Sequence, residues 1–154
     1  MKLVHVTSDD EIQLARQLFR EYEAGIGISL CFQNFDEEVA TLPGKYAPPD
    51  GRLLLAYIDE QVGGCIALRK LDGKTCEMKR LFVRPGFRGL RLGRLLVNAI
   101  INEARNIGYE RMRLDTMPGR MDTAIALYKD LGFKEIAPYY DSPVADARFM
   151  ELVL

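Results

Sequence analysis

The chain has 154 residues, 48% of them apolar and 28% charged, with a formal net charge of −1. That composition excludes a disordered chain and suits one domain spanning 1–154, a size at which folding buries about 68–70% of the unfolded surface without a disulfide or metal staple. The longest uncharged stretch, Ala24–Phe35, runs 12 residues, short of the ~18 apolar residues of a membrane span, and Met1–His5 meets the polar Thr7–Asp10 too soon for a signal peptide.

Lys2–Val6 reads as a strand. Ser8 or Asp9 then caps a helix to about Glu23, with Ile12, Leu14, Ala15, Leu18 and Phe19 at a period near 3.6. Gly25-Ile26-Gly27 is expected to break it. A short helix is expected around Asp36–Leu42, followed by a loop marked by Pro43-Gly44 and Pro48-Pro49. Arg52–Ile58 and Gln61–Leu71 form a strand pair across Asp59-Glu60, and Asp72-Gly73 turns the chain into Thr75–Val83. The period then changes. Leu90–Ile107 is helical, with Leu92, Leu96, Ala99, Ile100, Ala104 and Ile107 on one face and Gly108 as its stop. Tyr109–Thr116 alternates as a strand. Thr123–Leu131 is a helix between the expected cap Asp122 and Gly132. Phe133–Ile136 and Arg148–Leu154 are the last strands, around the loop Pro138–Ala147. The order predicts an α/β (α+β) fold. Its mixed, mostly antiparallel sheet has six to seven strands, helices on both faces and one parallel strand–helix–strand crossover.

Cys31, Cys65 and Cys76 are odd in number, widely spaced and without a CxxC pair. They read as reduced thiols of a cytoplasmic protein. No metal site is expected, because a single histidine, His5, cannot complete a structural zinc set at tight spacing. His5 lies in a strand pattern and is assigned a structural role, which leaves imidazole chemistry out of the reading.

The stretch Met78–Arg94 holds Lys79, Arg80, Arg84, Arg88, Arg91 and Arg94 and no acid, although even spreading of the chain's 21 basic residues would put about two there. The charges run from a strand end across Pro85-Gly86 to the first turn of a helix. Free backbone N–H groups and a partial positive charge make such a helix start an anion site. Gly89 and Gly93 allow close approach to the backbone. A P-loop is excluded, since neither glycine precedes Lys-Ser or Lys-Thr. A dinucleotide fingerprint is excluded by the spacing of Gly86, Gly89 and Gly93.

Arg88-Gly89-Leu90-Arg91-Leu92-Gly93, after Leu81-Phe82-Val83-Arg84-Pro85, resembles the acyl-coenzyme-A loop of the GNAT superfamily of N-acetyltransferases, Arg/Gln-x-x-Gly-x-Gly/Ala. Arg91 replaces the family's middle glycine; a right-handed helical Arg91 would still present its N–H, and its side chain would reach a phosphate. Ala124-Ile125-Ala126-Leu127-Tyr128-Lys129-Asp130-Leu131-Gly132-Phe133 resembles a later family segment, and nearly the whole chain follows the family's order of elements.

The resemblance implies acetyl-CoA as acyl donor. Its pantetheine arm would lie in a wedge between the strand ending at Val83 and the strand beginning near Arg111. Leu81, Phe82 and Val83 would contact it, the Leu81 N–H would polarise the thioester carbonyl, and N–H groups of Arg88, Gly89, Leu90, Arg91, Leu92, Gly93 and Arg94 would take the pyrophosphate. Tyr128, at the family's tyrosine position, would protonate the departing thiolate, unless it only fills the core. Glu77 is the candidate base for the amine. Two-residue alternation puts it on the same face as Leu81; its other reading is a glutamate paired with Lys79.

The acceptor, a primary amine of a small molecule or peptide, would meet Tyr22, Phe32, Phe35, Asp36, Glu37, Glu38, Tyr139, Tyr140 and Asp141. Aromatics beside carboxylates suit a cationic amine. An acetyl-CoA-dependent N-acetyltransferase is therefore expected, with a non-catalytic acyl-CoA-binding or sensing module as the alternative. The near-neutral charge weighs against nucleic acid as a partner, no membrane is expected, and the exposed terminal strands of this fold class often pair across homodimers.

Overall fold

The computed structural model describes residues 1–27, 29–30, 33–117 and 121–154. In chain order the elements are β1 (Lys2–His5), α1 (Asp9–Ile26), α2 (Phe35–Ala40), β2 (Arg52–Ile58), β3 (Gln61–Asp72), β4 (Thr75–Val83), α3 (Leu92–Ile107), β5 (Arg111–Thr116), α4 (Asp122–Asp130), β6 (Lys134–Ile136) and β7 (Arg148–Val153). The strands form one seven-stranded mixed sheet in the order β1-β2-β3-β4-β5-β7-β6, antiparallel at every junction except β4–β5. This is the expected architecture.

Each face of the sheet carries its own core. One packs Leu18, Phe19, Phe35, Tyr46, Leu55 and Cys65 under α1 and α2; the other packs Leu54, Ile66, Leu96, Ile100, Met112 and Tyr128 under α3 and α4. Because both faces are covered, β2 reads as the near-continuous apolar run Leu53-Leu54-Leu55-Ala56 instead of an alternation.

Helix ends differ from the sequence reading by small, explicable amounts. Ser8 caps α1: its hydroxyl accepts the Glu11 N–H at 3.2 Å while the Glu11 carboxylate accepts the Ser8 N–H at 2.9 Å. The helix runs through Gly25 to Ile26 and ends at Gly27, in the left-handed region at φ 68°. An interior glycine costs about 1 kcal/mol, which the burial of Ile26 offsets. α3 begins at Leu92 and not at Leu90, because Gly89 (φ 86°) and Arg91 (φ 59°) hold left-handed backbone just before it. Asp122 is the first residue of α4, after Met121, and not its cap.

One irregularity positions the site. Between Cys65 and Ala67 of β3 the facing strand advances from Phe82 to Lys79, three residues against two, and the extra residue sits beside Arg80 at φ 62°. This is a β-bulge. Before it, Cys76 and Met78 face α3; after it, Leu81 and Val83 face α3 and Phe82 faces α1. Simple alternation across Arg80 therefore fails. Glu77 and Leu81 lie on opposite faces of the sheet, correcting the expectation that they share one. Gly64 of β3 accommodates the bulged strand: a Cβ there would meet the Phe82 carbonyl oxygen at 2.6 Å.

Candidate active site

β4 and β5 pair only at Thr75–Arg111, Cys76–Met112 and Glu77–Arg113. Beyond that point β4 continues to Val83 and β5 to Thr116, so the strands part and leave a wedge with an unpaired β4 edge at Leu81. At the wedge lies a cleft of about 790 Å³, with Leu81, Phe82 and Val83 along one wall and Arg88, Gly89 and Arg91–Arg94 at its end. Ala124 and Leu127 of α4 and Tyr22 of α1 close it. Of the residues expected to hold an acyl carrier, Leu90 alone is missing from this lining; its side chain is 55% exposed.

The basic stretch separates into two groups. Lys79, Arg80 and Arg84 face carboxylates: Glu77 at 3.8 Å, Glu38 at 2.8 Å and Glu21 at 2.8 Å. Arg94 pairs with Asp130 on α4. Arg88 donates only to the Val83 carbonyl at 3.1 Å, and Arg91 pairs with no carboxylate among the described residues. These two exposed guanidinium groups lie beside the first turn of α3 at the end of the cleft, where free N–H groups suit an anion. Arg91 is left-handed, not right-handed as expected, a backbone region that favours glycine.

Tyr128 lies on α4 with its ring against Phe133 and is 2% exposed. Its hydroxyl makes no hydrogen bond to a described residue, and its side chain is not among those lining the cleft. Burial, with Tyr22 and the Asp115 charge nearby, raises its pKa far above a free tyrosine's, so it keeps its proton.

Glu77, 1% exposed, opens instead onto the α1 face. Its Oε1 accepts Arg69 Nε at 2.8 Å and its Oε2 accepts the Tyr139 hydroxyl at 2.6 Å. Burial pushes its pKa up, but the Lys79 and Arg69 charges and the Tyr139 hydrogen bond outweigh burial and leave it low. Glu77 is therefore a fixed anion with both oxygens occupied.

The hollow on that face, about 630 Å³, is bounded by Glu37 and Glu38, Arg69, Lys79, and Tyr139 and Tyr140. The expected acceptor residues divide there. Phe35 is buried beneath the Arg80 guanidinium at 4.9 Å. Asp36 points outward to Arg20 at 2.7 Å, and both oxygens of Glu38 accept from Arg80 at 2.8 and 2.9 Å. Tyr22 lies edge-on to Phe82. Tyr139 and Tyr140 pack on Phe149, and Asp141 is exposed. Phe32 and Cys31 lie outside the described residues. His5 is 56% exposed on β1 beside Glu103. Cys65 and Cys76 are free thiols, each pushed up to about 12 by burial.

The pattern that defines the acetyltransferase (GNAT) family matches residues 13–133. The chain belongs to the GNAT family. It is 43% identical over 139 residues to an uncharacterized N-acetyltransferase of Schizosaccharomyces pombe, covering 89% of this chain and 85% of that one. Among solved structures, an acetyltransferase from Streptococcus agalactiae superposes with a TM-score of 0.81 at 27% identity, covering 99% of this chain and 98% of that one. A GNAT family acetyltransferase from Elizabethkingia anophelis, solved with acetyl-CoA bound, superposes with a TM-score of 0.59 at 23% identity, covering 68% of this chain and 77% of that one.

Three polar residues of this GNAT site went unassigned in the sequence reading. Lys79 donates from Nζ to Gln33 Oε1 at 3.1 Å; Gln33 Nε2 in turn reaches Asp115 Oδ2 at 3.4 Å, which also accepts the Tyr140 hydroxyl. The available signal was strand alternation: in Arg113-Leu114-Asp115, Leu114 enters the α3 core and places Asp115 on the other face.

Proposed function

We propose that the chain transfers the acetyl group of acetyl-CoA to a primary amine of a small molecule or protein, by direct attack in a ternary complex. The observation that carries this reading is the unpaired β4 edge at Leu81, which opens onto a cleft ending in two guanidinium groups with no carboxylate partner among the described residues. A β edge matches the amides of an extended pantetheine arm. The N–H groups of Leu92, Gly93 and Arg94, with Arg88 and Arg91, suit a pyrophosphate.

Three residues carry the roles in this reading. The Leu81 N–H donates to the thioester carbonyl oxygen as charge develops there. Tyr128, kept protonated by burial, donates a hydrogen bond that strengthens as the leaving sulfur gains charge. Glu77 serves the acceptor side through Tyr139 and Lys79 and not by taking a proton directly, since its oxygens are filled and its pKa is lowered.

The test is calorimetric titration with acetyl-CoA followed by thiol release with a panel of amino acids, polyamines and peptide N-termini. Binding with release supports the enzyme. Binding without release to any amine supports an acyl-CoA sensor, and no binding refutes both.

A further inference from the structure

Hydrogen-bonding capacity around the acceptor hollow is unevenly spent. The Lys79 ammonium has three N–H donors, of which one is used on a described residue, Gln33 Oε1 at 3.1 Å. The nearest carboxylate oxygen, Glu77 Oε1, is 3.8 Å away, too far for a hydrogen bond, and already accepts from Arg69. Arg69 uses Nε on Glu77 and Nη1 on the Lys70 carbonyl, and its Nη2 donates to no described residue. The acceptors are engaged instead: both oxygens of Glu38 accept from Arg80, and those of Glu77 accept from Arg69 and Tyr139. A polyamine entering here would meet an under-coordinated cation and, the exposed Glu37 apart, carboxylates already engaged.

Across the wedge the balance reverses. On β5, Asp115 receives both of its hydrogen bonds, from Tyr140 and Gln33, at Oδ2, and its Oδ1 accepts none from the described residues. Gln33 links the two poles, with its amide oxygen on Lys79 and its amide nitrogen on Asp115. Asp115 is also the pole close enough to Tyr128 for its charge to be felt there.

We propose that the acceptor is an amine that also carries a carboxylate, an amino acid or a close relative, with its carboxylate on Lys79 and Arg69 and its amino group toward Asp115. The proposal rests on the acetyltransferase reading and adds the substrate class. Burial and the neighbouring Arg80 push the Lys79 pKa down, so an incoming anion relieves an existing penalty. In the transfer, the ammonium first loses a proton through the Asp115 carboxylate to solvent. Its nitrogen lone pair then forms the N–C bond, the C–S electron pair leaves on sulfur, and the second amine proton ends there.

The test compares wild-type kcat/KM for amino acids and their amides at saturating acetyl-CoA, with a polyamine alongside, and repeats it in Lys79→Met and Lys79→Arg. Charge-assisted hydrogen bonds of this kind are worth about ten- to a hundred-fold. The acid is therefore expected to exceed its amide by that factor, Lys79→Met to bring the acid down to the amide's level, and Lys79→Arg to restore most of the difference. Equal use of acid and amide, preference for the polyamine, or an equal loss on both substrates in Lys79→Met would overturn the proposal. The wild-type comparison stands even if a variant fails to fold. Acetyl-CoA calorimetry separates the two readings: heat of binding with a polyamine preferred defeats the carboxylate assignment alone, and no binding defeats the acetyltransferase reading with it.

Discussion

Arg80 fixes which face of the sheet every later residue of β4 presents, and replacing it tests that logic. The side chain is 3% exposed, holds Glu38 through two hydrogen bonds, and lies over the rings of Tyr22 and Phe35. Removing one partner of a buried ion pair costs about 3–5 kcal/mol, which for a domain of this size lowers Tm by roughly 9–15 °C. Arg80→Ala should show that loss by thermal denaturation. The sharper comparison is with Arg80→Gly. In an ordinary strand, alanine is more stable than glycine by about 0.5–1 kcal/mol. At φ 62° the order inverts, because a Cβ in the left-handed region costs about 1–2 kcal/mol. Arg80→Gly should therefore melt about 2–4 °C above Arg80→Ala. Arg80→Ala melting above Arg80→Gly would mean that the backbone is not left-handed there, and that Glu77 and Leu81 share a face after all.

Other perturbations probe the cleft and the acceptor side. Tyr128→Phe should lower kcat about ten-fold or more with the acetyl-CoA Kd nearly unchanged; unchanged turnover with chemistry rate-limiting removes Tyr128 from the mechanism. Arg91→Gly relieves left-handed strain and should gain about 1 kcal/mol of stability, while acetyl-CoA binds about three- to ten-fold more weakly in calorimetry for want of a phosphate-facing cation; unchanged affinity would take the Arg91 side chain out of the anion site. The Glu77 carboxyl has a folded pKa below its unfolded value of about 4.3, so it adds stability above that value and loses it as pH falls through the folded pKa. Glu77→Gln should accordingly flatten the fall of Tm between about pH 5 and pH 3; an unaltered slope would show that its ionisation is not linked to folding.

Most of the architecture follows from local signals. The Asp72-Gly73 turn, the amphipathic stripe of α3 and the glycine stops at Gly108 and Gly132 are written in neighbouring residues, and each is where it was expected. The bulge was hidden because arginine is not a left-handed residue by habit, and the carboxylate that holds the Arg80 guanidinium, Glu38, lies 42 positions earlier. For the same reason six basic residues within 17 positions read as one group. Glu21, Glu38 and Asp130, the partners of Arg84, Arg80 and Arg94, come from other elements, and only folding shows that Arg88 and Arg91 have no carboxylate partner among the described residues. The acceptor pole is longer-ranged still: Gln33 joins Lys79 to Asp115 across 46 and 82 positions of chain, a link that no spacing rule could show.

The account depends most on where acetyl-CoA sits. A crystal structure of the acetyl-CoA complex tests this directly. It should show the pantetheine amides on the Leu81 and Val83 backbone and the pyrophosphate against the N–H groups between Arg88 and Arg94. Ordered ligand elsewhere, or a cleft that stays empty at millimolar acetyl-CoA, would contradict it.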